Sequence, residues 1–448
     1  MTRPETPPSG ADRGAPDRRR GQQRSRRRGR PGSAGPRQPQ TRGDSWVGRE
    51  LDLDIGPVGH GGFCVARHEG QVVFVRHTLP GERVRARVTA GGSQDRFLRA
   101  DAVAILAPSA DRVGPVCRHA GPPTADPTRG GCGGCDWQHA TLTAQRELKA
   151  AVVAEQFARL AGLSIRVPVL PVSGDDAGLR WRTRVEFAVD GRGRAGLRPV
   201  RSRAVLPISE CPIAVPAVVE SGVLERDWTG YAAVDVVSVG TDPAHVVPVG
   251  GDAPPAPVVT ESVTTAGWTG RYAVSARGFW QVHPGAAATF LGHVLDALAP
   301  QPGERVLDLY AGVGLFAVPM ADAVGPAGSV LAVEGDPLSC EHARANAGER
   351  PHLQVVTGRV EEQLSVLAAH GADVVVLDPP RTGAGRTVMQ AVLALHPRAI
   401  AYVACDPAAL ARDTAYALEG GYRLGSLTAY DAFPMTHHVE CVAVLVPG

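Results

Sequence analysis

Four apolar runs in the last third of the chain, "RVLDLYAG", "SVLAVEGD", "DVVVLDPPR" and "AIAYVACDP", each end on a turn that carries a polar side chain. From about residue 271 such strand-like runs alternate with helical patterns, of which "ATFLGHVLDALA" is the first. Strands separated by helices pair in parallel through crossover connections, so the region is expected to form a doubly wound α/β sheet. Ligands of such sheets collect beyond the C-terminal ends of the strands. Here those ends carry Asp308, Glu334, Asp378 and Cys405. Asp406 and Pro407 follow the last of these as helix cap and first-turn proline, placing the Cys405 thiol between a strand end and a helix N-terminus. Most free cysteines are buried small hydrophobes, but a helix N-terminus favours the thiolate and makes this one a candidate reactive group.

A chain of 448 residues is too long for one ordinary domain. Residues 1–44 hold twelve arginines and four acids, which puts about +8 on this tail and leaves about −6 on the rest. With almost no large apolar residues the tail cannot bury a core, and a basic arm of this kind is expected to meet nucleic acid. Part of the arginine excess is compositional, since the chain has one lysine, Lys149, beside forty-six arginines. Residues 45–108 read as short strands broken by glycine turns at roughly ten-residue spacing, a small OB-like barrel carrying Arg76, Arg83, Arg85 and Arg87. Residues 109–270 form a central, β-rich stretch with a helix near 142–160, and residues 271–448 the α/β domain. "RRRGQQRSRRRGR" leads into no apolar segment of a secretory signal, and no run of eighteen apolar residues occurs. A soluble, cytoplasmic protein without a membrane partner is expected.

Two groups of motifs carry chemistry. In "VLDLYAGVGLF" Gly312 and Gly314 let the backbone approach a ligand, and Glu334, one strand on, is placed to accept ribose hydroxyls. Together they indicate an adenosine-type ligand, which a dehydrogenase would also bind. The rigid Asp-Pro-Pro exit at Asp378 is not needed by a dehydrogenase and favours a nucleic-acid methyltransferase. The second group is Cys117, Cys132, Cys135 and Cys211, a Cys-x2-Cys turn with two outlying thiols. Four thiolates suit either zinc or an iron–sulfur cluster. Cys64, Cys340 and Cys441 read as structural, and His437 and His438 as local structure. Trp181, Arg182 and Arg184 are further candidates for RNA contact.

The ordered set "GGCGGCDWQH", "FWQVHP", "DLYAGVGLF", "LDPPRTG", "YVACDPAALARD" and "FPMTHHVE" resembles the RNA uracil-C5 methyltransferases that carry an N-terminal TRAM barrel. The likeness covers residues 45 to 448. It implies an S-adenosylmethionine-dependent enzyme with a Rossmann-like catalytic domain, acting on a uridine of structured RNA, ribosomal or transfer, and a monomer. By the same resemblance Gln281, Tyr310, Glu334 and Asp378 contact the methyl donor, with Asp378 also beside the substrate. Cys405 is the nucleophile that adds to carbon 6, and Glu440 the general base. Cys117, Cys132, Cys135 and Cys211 become ligands of a 4Fe–4S cluster in a module separate from Cys405. The fourteen residues between Cys117 and Cys132 exceed the family's usual gap, a length that a loop closes at little entropic cost. Two other readings compete: a redox or radical enzyme running on the cluster, and an RNA-binding iron–sulfur protein without catalysis. The first lacks a Cys-x3-Cys-x2-Cys run, and the second would not need both Cys405 and Glu440.

Overall fold

Alternating burial builds the first module. A computed structural model describes residues 41–448 except 127, 128 and 176, so the expectation placed on the arginine-rich tail falls outside the described residues save 41–44. Strands β1 (Glu50–Asp54), β2 (Cys64–His68), β3 (Gln71–Arg76), β4 (Arg83–Ala90) and β5 (Phe97–Ala107) pair in the order β1-β4-β5-β3-β2, and β1 returns to touch β2. Leu51, Leu53, Val84, Ala86 and Val88 point into its core, leaving the intervening charges outside. The antiparallel register sets Glu50, Asp52 and Asp54 opposite Arg87, Arg85 and Arg83. Arg85 and Arg87 donate to those carboxylates at 2.8 Å, Arg83 stands 4.0 Å from Asp54, and Arg76 donates to Asp101 at 2.8 Å. The barrel arginines are therefore committed to cross-strand carboxylates. The exposed pairs of Arg83, Arg85 and Arg87 are of the weak surface kind that a phosphate can displace, whereas Asp101 is buried under Arg76.

Helix α1 (Leu142–Leu160) starts where the Thr141 hydroxyl accepts from the Ala144 amide. Its apolar residues serve two cores: Ala144, Leu148 and Val152 pack into the barrel, while Val153 and Phe157 pack beneath the catalytic sheet. Strand β6 (Val169–Pro171) follows. The central antiparallel sheet contains β7 (Arg184–Val189), β8 (Ala195–Leu197), β9 (Leu206–Pro207), β10 (Ala233–Val237) and β11 (His245–Val249), ordered β11-β10-β7-β8-β9, with the short helix α2 (Pro216–Val219) beside it. A hairpin of β12 (Val258–Thr264) and β13 (Thr269–Ser275) leads on. Two of the residues considered for RNA contact are not on the surface. Trp181 is buried against His283 and Phe433, and Arg184 is buried with its guanidinium on Glu261 at 2.7 Å. Arg182 donates to the Arg184 carbonyl.

The catalytic sheet follows the alternation legible in the sequence. Its elements are α3 (Ala286–Leu298), β14 (Arg305–Leu309), α4 (Ala317–Val324), β15 (Ser329–Glu334), α5 (Pro337–Ala347), β16 (Leu353–Thr357), α6 (Leu364–His370), β17 (Val374–Leu377), α7 (Gly385–Leu393), β18 (Ala399–Ala404), α8 (Pro407–Glu419), β19 (Tyr422–Asp431) and β20 (Glu440–Pro447). Strand order is β16-β15-β14-β17-β18-β20-β19-β6, with β14 to β18 parallel. β20 runs antiparallel to both β18 and β19, and β6 closes the far edge parallel to β19. The chain leaves β14 first towards β15 and later towards β17, so the crevice at the end of β14 is the switch point. Segments 142–160 and 169–171 fall within the stretch that the sequence divides off as central, yet both are built into this core. No helix among the described residues is long and apolar enough to cross a membrane.

One ion pair ties these parts together. Lys149 of α1 and Asp431 at the end of β19 are both solvent-free and bonded to each other, and the lysine also donates to the Phe433 carbonyl at 3.0 Å. Arg146, one turn earlier, donates to the other Asp431 oxygen at 3.2 Å. Removing one partner of a buried pair strands the other charge, a cost of about 3–5 kcal/mol. Lys149→Met should therefore lower unfolding stability by about 3 kcal/mol, the low end because Arg146 remains. A shift in the denaturant midpoint equivalent to less than about 1 kcal/mol would show the pair to be dispensable.

Candidate active site

Cys405 stands where the sequence puts it. β18 is buried along its whole length, and Asp406 caps α8 by accepting from the Ala408 and Ala409 amides at 3.0 and 2.8 Å. The register of β18 on β20 pairs Ala404 with Cys441, so one step further Cys405 and Glu440 face each other across the strand ends. Asp378 follows β17, the other neighbour of β18, and its amide donates to the Leu309 carbonyl at 3.2 Å. These three groups feel one another. Burial, then Glu440, Asp378 and Asp406, push the Cys405 thiol up to about 12, while Arg381 pulls it down. Burial and then Asp378 hold the Glu440 carboxyl well above the usual carboxylate range. Burial and Glu334 raise Asp378 to about 7.

The cradle beside them is made by β14 and β15. After Leu309 the chain turns sharply: Tyr310 takes the left-handed φ of 64°, and its amide and that of Ala311 both donate to the Val333 carbonyl. A non-glycine residue there stores strain, as turns at functional sites often do. Gly312, at φ 56°, has open space where a side chain would stand, and its amide donates to Glu334 at 2.8 Å. The second Glu334 oxygen accepts from the Asp336 amide at 2.7 Å, which fixes the carboxylate while leaving lone pairs for ribose hydroxyls. Gly314 lies further along the same turn, and Gln281 is buried in the turn ahead of α3. Asp308, marked in the sequence as a strand end but given no role, lies beneath the cradle with no solvent contact. Burial, Asp378 and Glu334 drive it up to about 8, against the Ala317 amide, and neither oxygen has a hydrogen bond of ordinary geometry. Four acids crowded at one edge suit a cationic ligand. The sulfonium and ammonium of S-adenosylmethionine supply that charge, and its ribose suits Glu334.

Beside Cys405 lies a pocket walled by His60, Arg381, Asp406, His437 and His438. Burial drives His438 down to about 3, so it is neutral, and its Nε2 lies 3.4 Å from the Arg381 guanidinium. His437 and His438 are thus pocket walls rather than mere local structure. His60 comes from the barrel, about 345 residues away along the chain; the glycines around it were its only local signal.

The cysteine loop is bonded to the same wall. The Asp136 and Trp137 amides both donate to the Met435 carbonyl, at 2.9 and 3.0 Å, and the Asp136 carboxylate holds His437 Nδ1 at 2.6 Å. The cysteine-bearing segment therefore does not stand apart from Cys405, because it holds the strand entry that leads to Glu440. Cys117, Cys132, Cys135 and Cys211 are free thiols. Burial raises all four, Cys132 to about 11, and the charges of neighbouring cysteines raise Cys117, Cys132 and Cys135 further. The Gly134 amide and the Gln138 side chain donate to Cys132 and Cys135 sulfur at 3.4 and 3.3 Å. Among the described residues no three His, Cys, Asp or Glu side chains are gathered around one point as ligands of a single ion. Cys64, Cys340 and Cys441 are buried, the first two donating to the Thr78 and Glu334 carbonyls.

Comparison with known proteins places this site among relatives. Residues 44–103 match the family described as TRAM domain, and residues 359–447 the family described as tRNA (Uracil-5-)-methyltransferase. A protein of Streptomyces coelicolor described as an uncharacterized RNA methyltransferase is 48% identical over 438 residues, covering 90% of this chain and 94% of its own. The 23S rRNA (uracil(1939)-C(5))-methyltransferase RlmD of Pseudomonas fluorescens is 31% identical over 439 residues, covering 89% of this chain and 94% of its own. Among solved structures, the tRNA (uracil-54, C5)-methyltransferase of Pyrococcus abyssi in complex with S-adenosyl-L-homocysteine superposes with a TM-score of 0.66. It is 21% identical and the match covers 88% of this chain and all of that one, a likeness of fold.

The raised carboxyls set a pH dependence. Asp308 and Asp378 keep their protons to about 8 and about 7 when folded, but release them near 3.8 when unfolded. Between those limits these two groups bind more protons in the folded state, so their contribution to the stability of the ligand-free protein falls as pH rises from about 4 to about 8. Asp308→Asn should flatten that decline. Thermal midpoints taken at about pH 5 and about pH 8 would contradict the burial of an uncompensated acid if the variant and the parent lost equal amounts.

Proposed function

The chain belongs to the RNA uracil-C5 methyltransferases that carry a TRAM domain, S-adenosylmethionine-dependent enzymes acting on RNA, and on that premise we propose that it methylates a uridine of structured ribosomal or transfer RNA through a covalent Cys405 adduct. The observation that carries the mechanism is Cys405 facing Glu440 across β18 and β20. Carbon 5 of uracil is too weak a nucleophile to take a methyl group unaided. Addition of the Cys405 thiolate to carbon 6 forms the S–C6 bond and moves the ring electrons into an enolate that is nucleophilic at carbon 5. Tyr310, Gly312, Gly314, Glu334, Asp378 and Gln281 would hold S-adenosylmethionine, which would supply the methyl group to carbon 5 and depart as S-adenosylhomocysteine. Glu440 then takes the proton from carbon 5, the C5–C6 double bond re-forms, and the Cys405 sulfur leaves. A carboxylate held well above its usual range is the stronger base for that step. Arg381 opposes the burial and neighbouring acids that hold the free Cys405 thiol high, so it is the cation that favours the thiolate when the sulfur adds. Uracil cannot meet both Cys405 and the donor while stacked, so the target base enters flipped or already unpaired.

The same reading gives Cys117, Cys132, Cys135 and Cys211 a 4Fe–4S cluster. What supports it is the Cys-x2-Cys turn with its two outlying thiols and the hydrogen bonds that Gly134 and Gln138 donate to the Cys132 and Cys135 sulfurs. The competing pictures, a redox enzyme or an RNA-binding protein without catalysis, leave Cys405 opposite Glu440 without a purpose.

Cys405→Ala should abolish 5-methyluridine formation while leaving S-adenosylmethionine affinity within about threefold, because the thiol acts on the base and not on the donor. Appreciable methylated product from that variant, read by nucleoside analysis of the RNA, would sink the covalent route. For the cluster, protein purified without oxygen should contain about four irons per chain and absorb broadly in the visible range. Stoichiometric zinc and no iron would overturn the assignment.

A further inference from the structure

The barrel does more than lie next to the catalytic sheet. Its loop between β1 and β2 closes on itself, the Gly59 amide donating to the Phe63 carbonyl at 2.8 Å. It is pinned on two sides. The indole of Trp137, fully buried, donates to the Gly62 carbonyl at 3.2 Å, and Gly62 itself lies so close to His437 that an added Cβ would come within 2.7 Å of that side chain's Cβ. Gly62 also has a φ of 80°, so no other residue takes its place without strain. Held this way, the loop presents His60 to the catalytic domain, with Nε2 3.1 Å from the Asp406 Oδ2.

Asp406 has two tasks, one per oxygen. Oδ1 caps α8 through the Ala408 and Ala409 amides, and Oδ2 is the atom His60 holds. The residue before it is Cys405, and His60 lines the pocket into which that thiol opens. With Oδ1 on two helix amides and Oδ2 on His60, both carboxylate oxygens beside Cys405 are committed.

We propose that His60 is a positioning residue for methyl transfer, which clamps Asp406 and so fixes the approach of the Cys405 sulfur to carbon 6 of the target uracil. The inference rests on the reading of Cys405 as nucleophile. It makes the barrel a structural wall of the active site, in addition to any grip it has on RNA. A misplacement of about 1 Å at a reacting atom can cost up to about a hundredfold in rate.

The test uses the full-length protein and compares His60→Ala, His60→Gln and Cys405→Ala. RNA bearing 5-fluorouridine serves as a trap, because fluorine at carbon 5 cannot be removed as the proton is and the adduct persists. At saturating RNA and donor, His60→Ala should lower kcat about tenfold with KM for RNA changed less than about twofold, and should slow adduct formation by the same factor. His60→Gln keeps a donor at the position of Nε2 and should recover most of the rate. An effect confined to KM would make His60 an RNA contact and overturn the proposal, as would an unchanged kcat or a glutamine variant as slow as the alanine one. Cys405→Ala separates the two readings. If it still traps the adduct, the nucleophile assignment itself fails; if it does not and His60→Ala behaves as the parent, only the present inference fails.

Discussion

A single lysine, sealed from solvent against Asp431, is the constraint on which the rest of the arrangement depends. Lys149 lies on a helix that packs into both the barrel and the catalytic core, and Asp431 ends the strand from which the chain sets out towards Glu440. Apolar side chains could hold these elements together as strongly. Charges add direction: the ammonium meets both the carboxylate and the Phe433 carbonyl, which ties the helix to the strand end. From Phe433 onward each anchor fixes the next. Gln145 accepts from the Met435 amide, the cysteine loop holds the Met435 carbonyl and His437, and the chain then enters β20 at Glu440. The placement of the base is thus the end of a series of bonds that begins in α1.

The electrostatics of the site follow from the same economy of space. Parallel strands deliver their terminal side chains to one edge, so each acid placed for a separate reason is close to the others. Asp308, Asp378 and Glu440 are driven upward by burial first and by neighbouring acids second, Asp378 acting on the other two and Glu334 on Asp378. Such an edge is costly when empty and favourable when a cation occupies it, so the same feature that lowers stability of the ligand-free protein raises its affinity for a positively charged donor.

Much of this was legible because it is local. The βαβ alternation, the thiol at the end of "AIAYVA", the cap at Asp406 and the glycine turn at Gly312 are all written within a dozen residues. What escaped depends on contacts between distant segments. A three-residue strand such as β6 has no periodicity to read, and a helix with two apolar faces looks like any amphipathic helix until both partners are known. Nothing near the barrel arginines in the sequence names their partners, because the carboxylates stand on other strands. Trp181 and Arg184 read as surface residues for the same reason, their partners His283 and Glu261 being far along the chain. His60 is the extreme case, a residue of one module completing the pocket of another.

β6 carries a further consequence. Three residues long, it is the strand that pairs, among the described residues, with the outer edge of β19 at Ala429–Asp431, backbone that would otherwise be an open sheet margin. It is contributed by a segment that precedes the catalytic stretch by about a hundred residues. A catalytic fragment cut at residue 271 would keep every reacting group and yet expose a raw sheet margin, together with the apolar floor that Val153 and Phe157 now fill. The upstream segments thus complete the sheet and the core on which the transferase site is built.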